Sequence, residues 1–437
     1  MDKRIFPVLI LLILSTLFFA KLSQPKVYLD IDPTVGRKIP IAIPFFKILQ
    51  GVSDSYKYQE LIPRILSNDL ELSGYFKVID PLSFLEDPRV VGITLDRINF
   101  KSWATVGSEF LITGGFTYDA KDLFLELRLF DVAQGKFMMG KRYRGEIRDM
   151  RKMVHRFADE VVYKITGKVG IFCTKIVYVG SRSGNKEIFA MDFDGHNIKQ
   201  LTNNKSISLS PTWSPDGKKI AYTSYMEGNP DLFIMDLKRK KSLKISYRKG
   251  LNISPAWSPD NFYLALTLSV NTYPEICIID TNGKMKKRLT NSWSNDVSPC
   301  WSPCGKKIAF VSNRSGSPQI YTMDADGNNI KRITFEGNYN ASPSWSPTGD
   351  KIAFSSLENG NFDIFTIRPD GTDLRRLTGF SGNNESPSWA PDGYHIVFSS
   401  NRDGKYHLYI MLANGTKQVK ITKGEENELS PAWSPTL

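Results

Sequence analysis

Short apolar segments recur at a constant spacing through the C-terminal part of the chain. The phrase SPTWSPDGKKIAY, which starts at Ser210, returns in altered form from Ser254, Ser298, Ser342 and Ser386, and a last copy, SPAWSPTL, starts at Ser430. Successive tryptophans of the phrase are 44 residues apart: Trp213, Trp257, Trp301, Trp345, Trp389 and Trp433. A repeat of this length indicates one supersecondary unit that needs neighbours to bury both of its faces.

Each unit predicts four short strands. In the unit that begins at Ser298, the strand containing Trp301 is followed by Lys306–Ser312, Gln319–Asp324 and Ile330–Thr334, with turn residues between them. Four strands per unit are typical of a propeller blade. The second strand occurs six times, at Ile176, Ile220, Leu264, Ile308, Ile352 and Ile396.

The first and last copies of the repeat are each incomplete. No tryptophan strand precedes Ile176, and no second strand follows Trp433. We therefore expect the strand around Trp433 to pair with Lys175–Val179, which closes the ring without a free edge. The prediction is a six-bladed β-propeller over residues 174–437.

Residues 21–170 lack the repeat and predict a small N-terminal α/β domain. Strands are expected at Lys38–Phe46, Glu109–Asp119 and Leu123–Val132, and a helix at Tyr56–Leu72, where Pro63 either starts or kinks it. A second helix follows Asp149 as its N-cap and ends at Gly167. The fold class is therefore a small α/β domain followed by an all-β domain.

Residues 1–20 predict a signal peptide. MDKR precedes an apolar run from Ile5 to Ala20, which is short for a membrane span. Because Phe18 is bulky where a cleavage site favours a small residue, an uncleaved anchor is the alternative.

Composition and charge narrow the class of partner. The 437 residues are 41% apolar and carry a formal net charge of +12, with basic clusters at Lys141–Arg156 and Lys238–Lys249. These clusters are either solvated faces or sites for an acidic protein or an anionic membrane surface. They lack the interleaved aromatic residues of a single-strand nucleic-acid groove, so no nucleic-acid partner is expected.

No catalytic or metal-binding constellation is evident in the sequence. The four histidines are scattered, and no nucleophile elbow is present. The acidic turns at Asp192–Gly195 and Asp324–Gly327 suit hairpins better than calcium loops. The four cysteines form no metal pattern, and Cys300 and Cys304 are either free or joined locally. We expect no cofactor and no enzymatic activity.

The opening VYLDID…GRKIPIAIPFF, together with six repeats of the type SPxWSPDGKKIAF, resembles the periplasmic TolB family. Asn261, Cys304 and Thr348 depart from its usual turn residues. The resemblance implies a periplasmic, non-catalytic component of the Tol–Pal system, which maintains outer-membrane integrity and supports outer-membrane invagination during cell division. It also implies that the propeller binds the peptidoglycan-associated lipoprotein Pal and that the mature N-terminus binds TolA, with other outer-membrane proteins as further candidates.

Two other classes of function stay open from the sequence. One is the non-catalytic propeller of a secreted peptidase or glycan-active enzyme whose catalytic part lies on another chain. The other is a sugar-binding propeller.

A ring of polar residues is the candidate Pal site. Five residues before each tryptophan stand Ser208, Asn252, Asp296, Asn340, Asn384 and Glu428. We expect them in loops around one mouth of the channel, where arginine substitutions would weaken Pal binding and leave stability unchanged. Ordinary turn chemistry is the alternative.

The candidate TolA site is an N-terminal segment of alternating apolar and polar residues: Val27, Tyr28, Leu29, Asp30, Ile31 and Asp32. Such a segment can add as a strand to its own domain's sheet or to a partner's. An ordinary first strand of the α/β domain is the alternative.

Overall fold

The structure is a computed structural model. It describes residues 32–33, 36–49, 57–87, 89–119, 121–269, 272–379 and 382–437. The predicted signal peptide and residues Val27–Ile31 of the candidate TolA segment lie outside the described residues.

The N-terminal domain is built on one mixed sheet. Its strands are β1 (Ile39–Ala42), β2 (Lys47–Ile48), β3 (Phe76–Val78), β4 (Phe110–Tyr118), β5 (Asp122–Asp131) and β6 (Lys136–Glu146). The order is β3-β1-β4-β5-β6, with β2 also paired to β4. Strand β1 is parallel to β3 and β4, whereas β4, β5 and β6 form antiparallel pairs.

Three α-helices accompany this sheet: α1 (Tyr58–Leu72), α2 (Phe100–Thr105) and α3 (Met150–Thr166). Short 3₁₀ turns occur at Pro81–Ser83, Leu95–Arg97 and Ile147–Asp149. Pro63 lies inside α1 and does not start it. Gly167 ends α3 in the left-handed conformation, as predicted. Asp149 is the N-cap residue of α3, as predicted, but it also closes the preceding 3₁₀ turn and its side chain makes no capping hydrogen bond.

The rest of the chain forms six four-stranded antiparallel sheets, which confirms the predicted propeller. Blade 1 contains β30 (Glu428–Trp433), β7 (Lys175–Gly180), β8 (Glu187–Asp192) and β9 (Lys199–Gln200). Blade 2 contains β10 (Ser208–Trp213), β11 (Lys219–Ser224), β12 (Asp231–Asp236) and β13 (Lys241–Ser246). Blade 3 contains β14 (Asn252–Trp257), β15 (Tyr263–Ser269), β16 (Pro274–Asp280) and β17 (Met285–Arg288).

Blade 4 contains β18 (Asp296–Trp301), β19 (Lys307–Ser312), β20 (Gln319–Asp324) and β21 (Lys331–Arg332). Blade 5 contains β22 (Asn340–Trp345), β23 (Ile352–Glu358), β24 (Asn361–Ile367) and β25 (Arg375–Arg376). Blade 6 contains β26 (Asn384–Trp389), β27 (His395–Asp403), β28 (Lys405–Leu412) and β29 (Val419–Lys420).

The ring closes as the repeat predicts. Strand β30 pairs antiparallel with β7, with Leu429 opposite Val179 and Trp433 opposite Ile176. The side chain of Trp433 is buried, and its Nε1 donates to Thr174 Oγ1 at 2.8 Å. The two ends of the propeller sequence therefore complete one blade.

The loops of the propeller lie on two opposite faces, because successive strands of a blade run antiparallel. We call one of them the mouth face. It carries the loops between the second and third strands and those that lead into the next blade. The N-terminal domain contacts the other face, where His395 Nε2 lies 2.8 Å from Leu72 O and Lys417 Nζ donates to Glu71 O at 2.7 Å.

Candidate binding face of the propeller

Each innermost strand contains the same distortion. In β10 the register with β11 shifts between Leu209 and Thr212, and the serine in between, Ser210, has a φ of 51°. The equivalent serines, Ser254, Ser298, Ser342, Ser386 and Ser430, also have positive φ. A bulge of this kind bends the strand and fixes where its first residue points. The repeated Ser-Pro pair therefore sets the start of every innermost strand.

The six predicted polar residues stand at those starting positions. They are the first residues of the innermost strands, not loop residues: Ser208, Asn252, Asp296, Asn340, Asn384 and Glu428. All are at most 1% exposed. The expectation that they line the mouth as exposed groups is wrong, because their side chains hydrogen-bond inside the wall of the propeller.

These hydrogen bonds connect one blade to the next. Asn340 Nδ2 donates to Gln319 Oε1 at 2.8 Å, and Gln319 is the first residue of the third strand in the preceding blade. The hydroxyl of Thr334 donates to the same Gln319 oxygen at 2.7 Å. Asn384 repeats the arrangement, since its Nδ2 donates to Asp363 Oδ1 at 2.9 Å. Four of the six polar residues are thus hydrogen-bonded to the preceding blade: Ser208, Asn252, Asn340 and Asn384.

Arginines contact three of the six polar residues. Arg314 contacts both carboxylate oxygens of Asp296 at 2.9 and 3.0 Å, and Arg182 Nη2 lies 2.8 Å from Glu428 Oε1. Arg402 donates to Asn384 Oδ1 at 2.7 Å.

Each of these arginines also stacks on an aromatic ring: Arg314 on Tyr321, Arg182 on Phe189 and Arg402 on Tyr409. Charge-assisted, stacked arginines are held in one geometry. The sequence analysis missed them, although VSNRSG and SSNRDG repeat the signal at equivalent positions.

Large apolar side chains are exposed on loops of the mouth face. We call them the apolar rim: Ile207, Met226, Tyr247, Trp293, Phe335 and Tyr339. Trp293 is 90% exposed and Phe335 is 71% exposed. Exposed aromatic residues concentrated on one face are typical of a protein-binding surface. Met226, Tyr247, Trp293 and Phe335 were not identified from the sequence.

The apolar rim occupies one side of the mouth face. Its loops lie between blades 1 and 5, whereas the loop that leads from blade 6 back to blade 1 carries Lys423, Glu425 and Glu426. Among the described loops of this face, the large exposed apolar side chains are therefore confined to one side, where they lie among charged residues such as Lys249 and Glu336. Such a surface suits a single asymmetric partner better than a symmetric ligand in the channel.

A second polar cluster lies at the domain junction. His155 Nδ1 is 2.7 Å from Asp69 Oδ2, its Nε2 is 3.4 Å from Asp194 Oδ2, and Arg151 also pairs with Asp194. Burial lowers the pKa of His155, but hydrogen bonds with Asp194 and Asp69 outweigh this effect and raise the pKa to about 9. Burial raises the pKa of Asp69 to about 6.

This cluster is the one group of potential metal ligands found among the described residues. Its geometry fits an ion-paired imidazolium instead of a metal site. The two ring nitrogens of His155 face different carboxylates, so no single ion can be bound by the imidazole and both acids. The guanidinium of Arg151 already neutralises Asp194. The cluster therefore ties α1 and α3 to blade 1.

The remaining sequence hypotheses concern termini and thiols. Asp32, the only described residue of the candidate TolA segment, is exposed. All four cysteines are free thiols, so Cys300 and Cys304 are not joined. Within the described ranges, no helix is long and apolar enough to cross a membrane.

A small α/β domain on one face of a six-bladed propeller, with an apolar rim on the opposite face, defines a two-domain propeller protein. Similarity to known protein families shows which propeller family this is. The family model of the TolB β-propeller domain matches residues 162–437, and that of the TolB amino-terminal domain matches residues 27–138. The chain belongs to the TolB family.

Individual relatives agree with this assignment. The Tol-Pal system protein TolB of Desulfosudis oleivorans is 44% identical over 219 residues, which cover 50% of this chain and 49% of the relative. The protein of the same name from Syntrophotalea carbinolica is 46% identical over 155 residues, 36% of each chain. This chain thus spans about half, or less, of the length of these curated relatives.

A solved structure matches over a larger part of the chain. The crystal structure of TolB from Acinetobacter baumannii has a TM-score of 0.79 and 28% sequence identity. The match covers 91% of this chain and 97% of that one. Both domains therefore have counterparts in a known TolB structure.

Proposed function

We propose that this protein is a non-catalytic, periplasmic component of the Tol–Pal system. In this role the propeller binds Pal and the N-terminal segment around Val27–Asp32 binds TolA. The protein would thereby help to maintain outer-membrane integrity and to support outer-membrane invagination during cell division. Membership of the TolB family and the names of the relatives support the assignment to the Tol–Pal system.

The apolar rim is the observation that carries the Pal assignment. The N-terminal domain contacts the opposite face, so its contacts leave the mouth face open to a partner. Aromatic residues such as Trp293, Phe335 and Tyr339 supply most of the binding energy at typical protein interfaces. We therefore place Pal on the apolar rim and not on the buried polar ring.

The test is Pal capture by rim variants of the purified protein. Trp293→Glu and Phe335→Glu should each weaken Pal binding at least tenfold, because loss of a buried aromatic anchor costs about 2 kcal/mol or more. Phe262→Glu is the matched control, since Phe262 is 67% exposed but lies in a turn of the opposite face. Pal binding unchanged in both rim variants would contradict the assignment, as would retention of envelope polysaccharide in place of Pal.

The TolA assignment has a separate test. Deletion of residues 21–32 from the exported form should abolish TolA capture, because the deletion removes the alternating segment. Pal capture and thermal unfolding should not change, since the rim and the described core lie elsewhere in the chain. Persisting TolA capture would show that another surface binds TolA.

A further inference from the structure

A cleft with one basic and one apolar end lies where the N-terminal domain meets blade 1. We call its basic end the basic well, a cavity of about 850 Å³ lined by Arg148, Lys152, Arg156, Lys175 and Lys199. We call its apolar end the apolar trough, a cavity of about 670 Å³ whose lining includes Met138, Met139, Tyr163, Val169 and Leu437. The two cavities share Arg156, Cys173 and Leu437 as lining residues, so they adjoin each other. Both volumes are in the range of small-molecule sites.

The basic well has more positive than negative charge available for a ligand. Of its two acidic residues, Asp192 pairs with Lys175 and Asp149 directly precedes the first turn of α3, so the basic side chains outnumber the acidic ones. No ion pair of Lys152, Arg156 or Lys199 is found in the part of the chain that the structure describes, and all three are exposed. Arg148 pairs with the exposed Glu146 at 2.8 Å.

The position of these cations is unfavourable for the protein alone. Lys152 lies in the first turn of α3, where the helix dipole disfavours positive charge. Arg156 follows it at four residues' distance on the same helix face, an arrangement in which like charges repel. A bound anion would relieve both effects. The apolar trough, in turn, leaves Tyr163 and Val169 half exposed, at 50% and 56%.

The apolar trough suits an acyl chain better than a peptide. Of the five charged groups that line it, Glu160 pairs with Lys141, and Asp159 accepts backbone N–H groups of Phe172 and Cys173. The other two, Arg156 and Lys164, are exposed cations. The rest of the trough surface that a ligand can contact consists mainly of methionine, tyrosine, valine and leucine side chains. A peptide would bring amide groups that need hydrogen-bond partners, whereas an acyl chain needs only apolar contact.

We propose that this cleft binds a single-chain anionic phospholipid, with its phosphate in the basic well and its acyl chain in the apolar trough. The probe is lauroyl-lysophosphatidylglycerol below its critical micelle concentration, with binding measured by calorimetry. Lauroyl-lysophosphatidylcholine, which has the same chain and a zwitterionic head, should bind at least tenfold more weakly. Glycerol 3-phosphate, which has no chain, should also bind at least tenfold more weakly.

Variants separate the two ends of the cleft. The double variant Lys152→Gln/Arg156→Gln should lower affinity for lysophosphatidylglycerol at least tenfold, and so should Val169→Asp. The matched control is Lys238→Gln/Arg239→Gln, which removes the same charge from an exposed turn of blade 2 and should leave binding unchanged. No variant should lower the temperature of thermal unfolding. Pal capture should be unaltered in every variant, because the cleft and the apolar rim lie on different faces.

Three outcomes would overturn the proposal. Equal affinity for the two lysolipids would show that the basic well does not select the head group. Unchanged affinity in the Lys152→Gln/Arg156→Gln variant would place the lipid elsewhere. Binding of a glutamate oligomer that depends on Lys152 and Arg156, without lipid binding, would identify the cleft as a site for an acidic protein segment.

Discussion

Asn340 and Tyr339 are neighbours in the chain with opposite environments. Asn340 is fully buried and hydrogen-bonded to Gln319, whereas Tyr339 is 42% exposed on the mouth face. The bulge in each innermost strand creates this difference, because it directs the first strand residue into the wall of the propeller. At the scale of single residues, polar character therefore marks a structural joint, and apolar character marks the candidate binding surface.

Because of this contrast, substitutions at the two positions should differ in their effect on the free energy of unfolding. Asn340→Arg should lower the free energy of unfolding by about 3 kcal/mol, because it buries an unpaired charge and breaks the bond to Gln319. Tyr339→Arg should change it by about 0.5 kcal/mol or less, as is usual for surface positions. Denaturant unfolding of both variants checks the prediction. Equal stability of the two variants would mean that Asn340 is not a joint between blades.

At the scale of elements, the innermost strand β30 closes the ring. Trp433→Ala should cost about 3–5 kcal/mol, because it removes a buried aromatic side chain and its hydrogen bond to Thr174. Trp293→Ala, which truncates a tryptophan that is 90% exposed, should leave thermal unfolding nearly unchanged. If Trp433→Ala unfolds at the temperature of the parent protein, the pairing of β30 with β7 does not stabilise the ring.

The strands of the propeller could be predicted from the sequence because the same strand pattern occurs six times. Pairing of Trp433 with Ile176 followed from the same count, since only these two halves lacked partners. Burial of Asn252 or Asn384 could not be predicted, because asparagine suits loops as well as buried hydrogen bonds. Trp293 was also missed, since it lies outside the repeated phrase and only the ring brings its loop beside those of Tyr247 and Phe335.

At the scale of the whole molecule, His155 links the domains through Asp69 and Asp194. The pKa of His155 is about 9 in the folded protein against about 6.5 when unfolded. Its stabilising contribution is therefore complete below pH 6.5 and is lost as the pH rises through about 9. Asp69, with a pKa of about 6 in the folded protein, completes its ionisation at the acidic end of that window.

We expect the free energy of unfolding of the parent protein to fall by up to about 3 kcal/mol between pH 6.5 and pH 9.5, relative to that of His155→Gln. Denaturant unfolding at several pH values measures this difference. A difference that stays constant over this range would show that His155 is not held as a cation between the two carboxylates.

The central claim is that the partner of the propeller binds the apolar rim, and site-specific photocrosslinking in intact cells tests it most directly. A photoreactive amino acid replaces Trp293 in one strain and Phe262 in another, so that each exposed face carries one probe. The account predicts a crosslink to Pal from position 293 and none from position 262. A crosslink to Pal from position 262 alone would contradict it, because Pal would then bind the face that the N-terminal domain contacts.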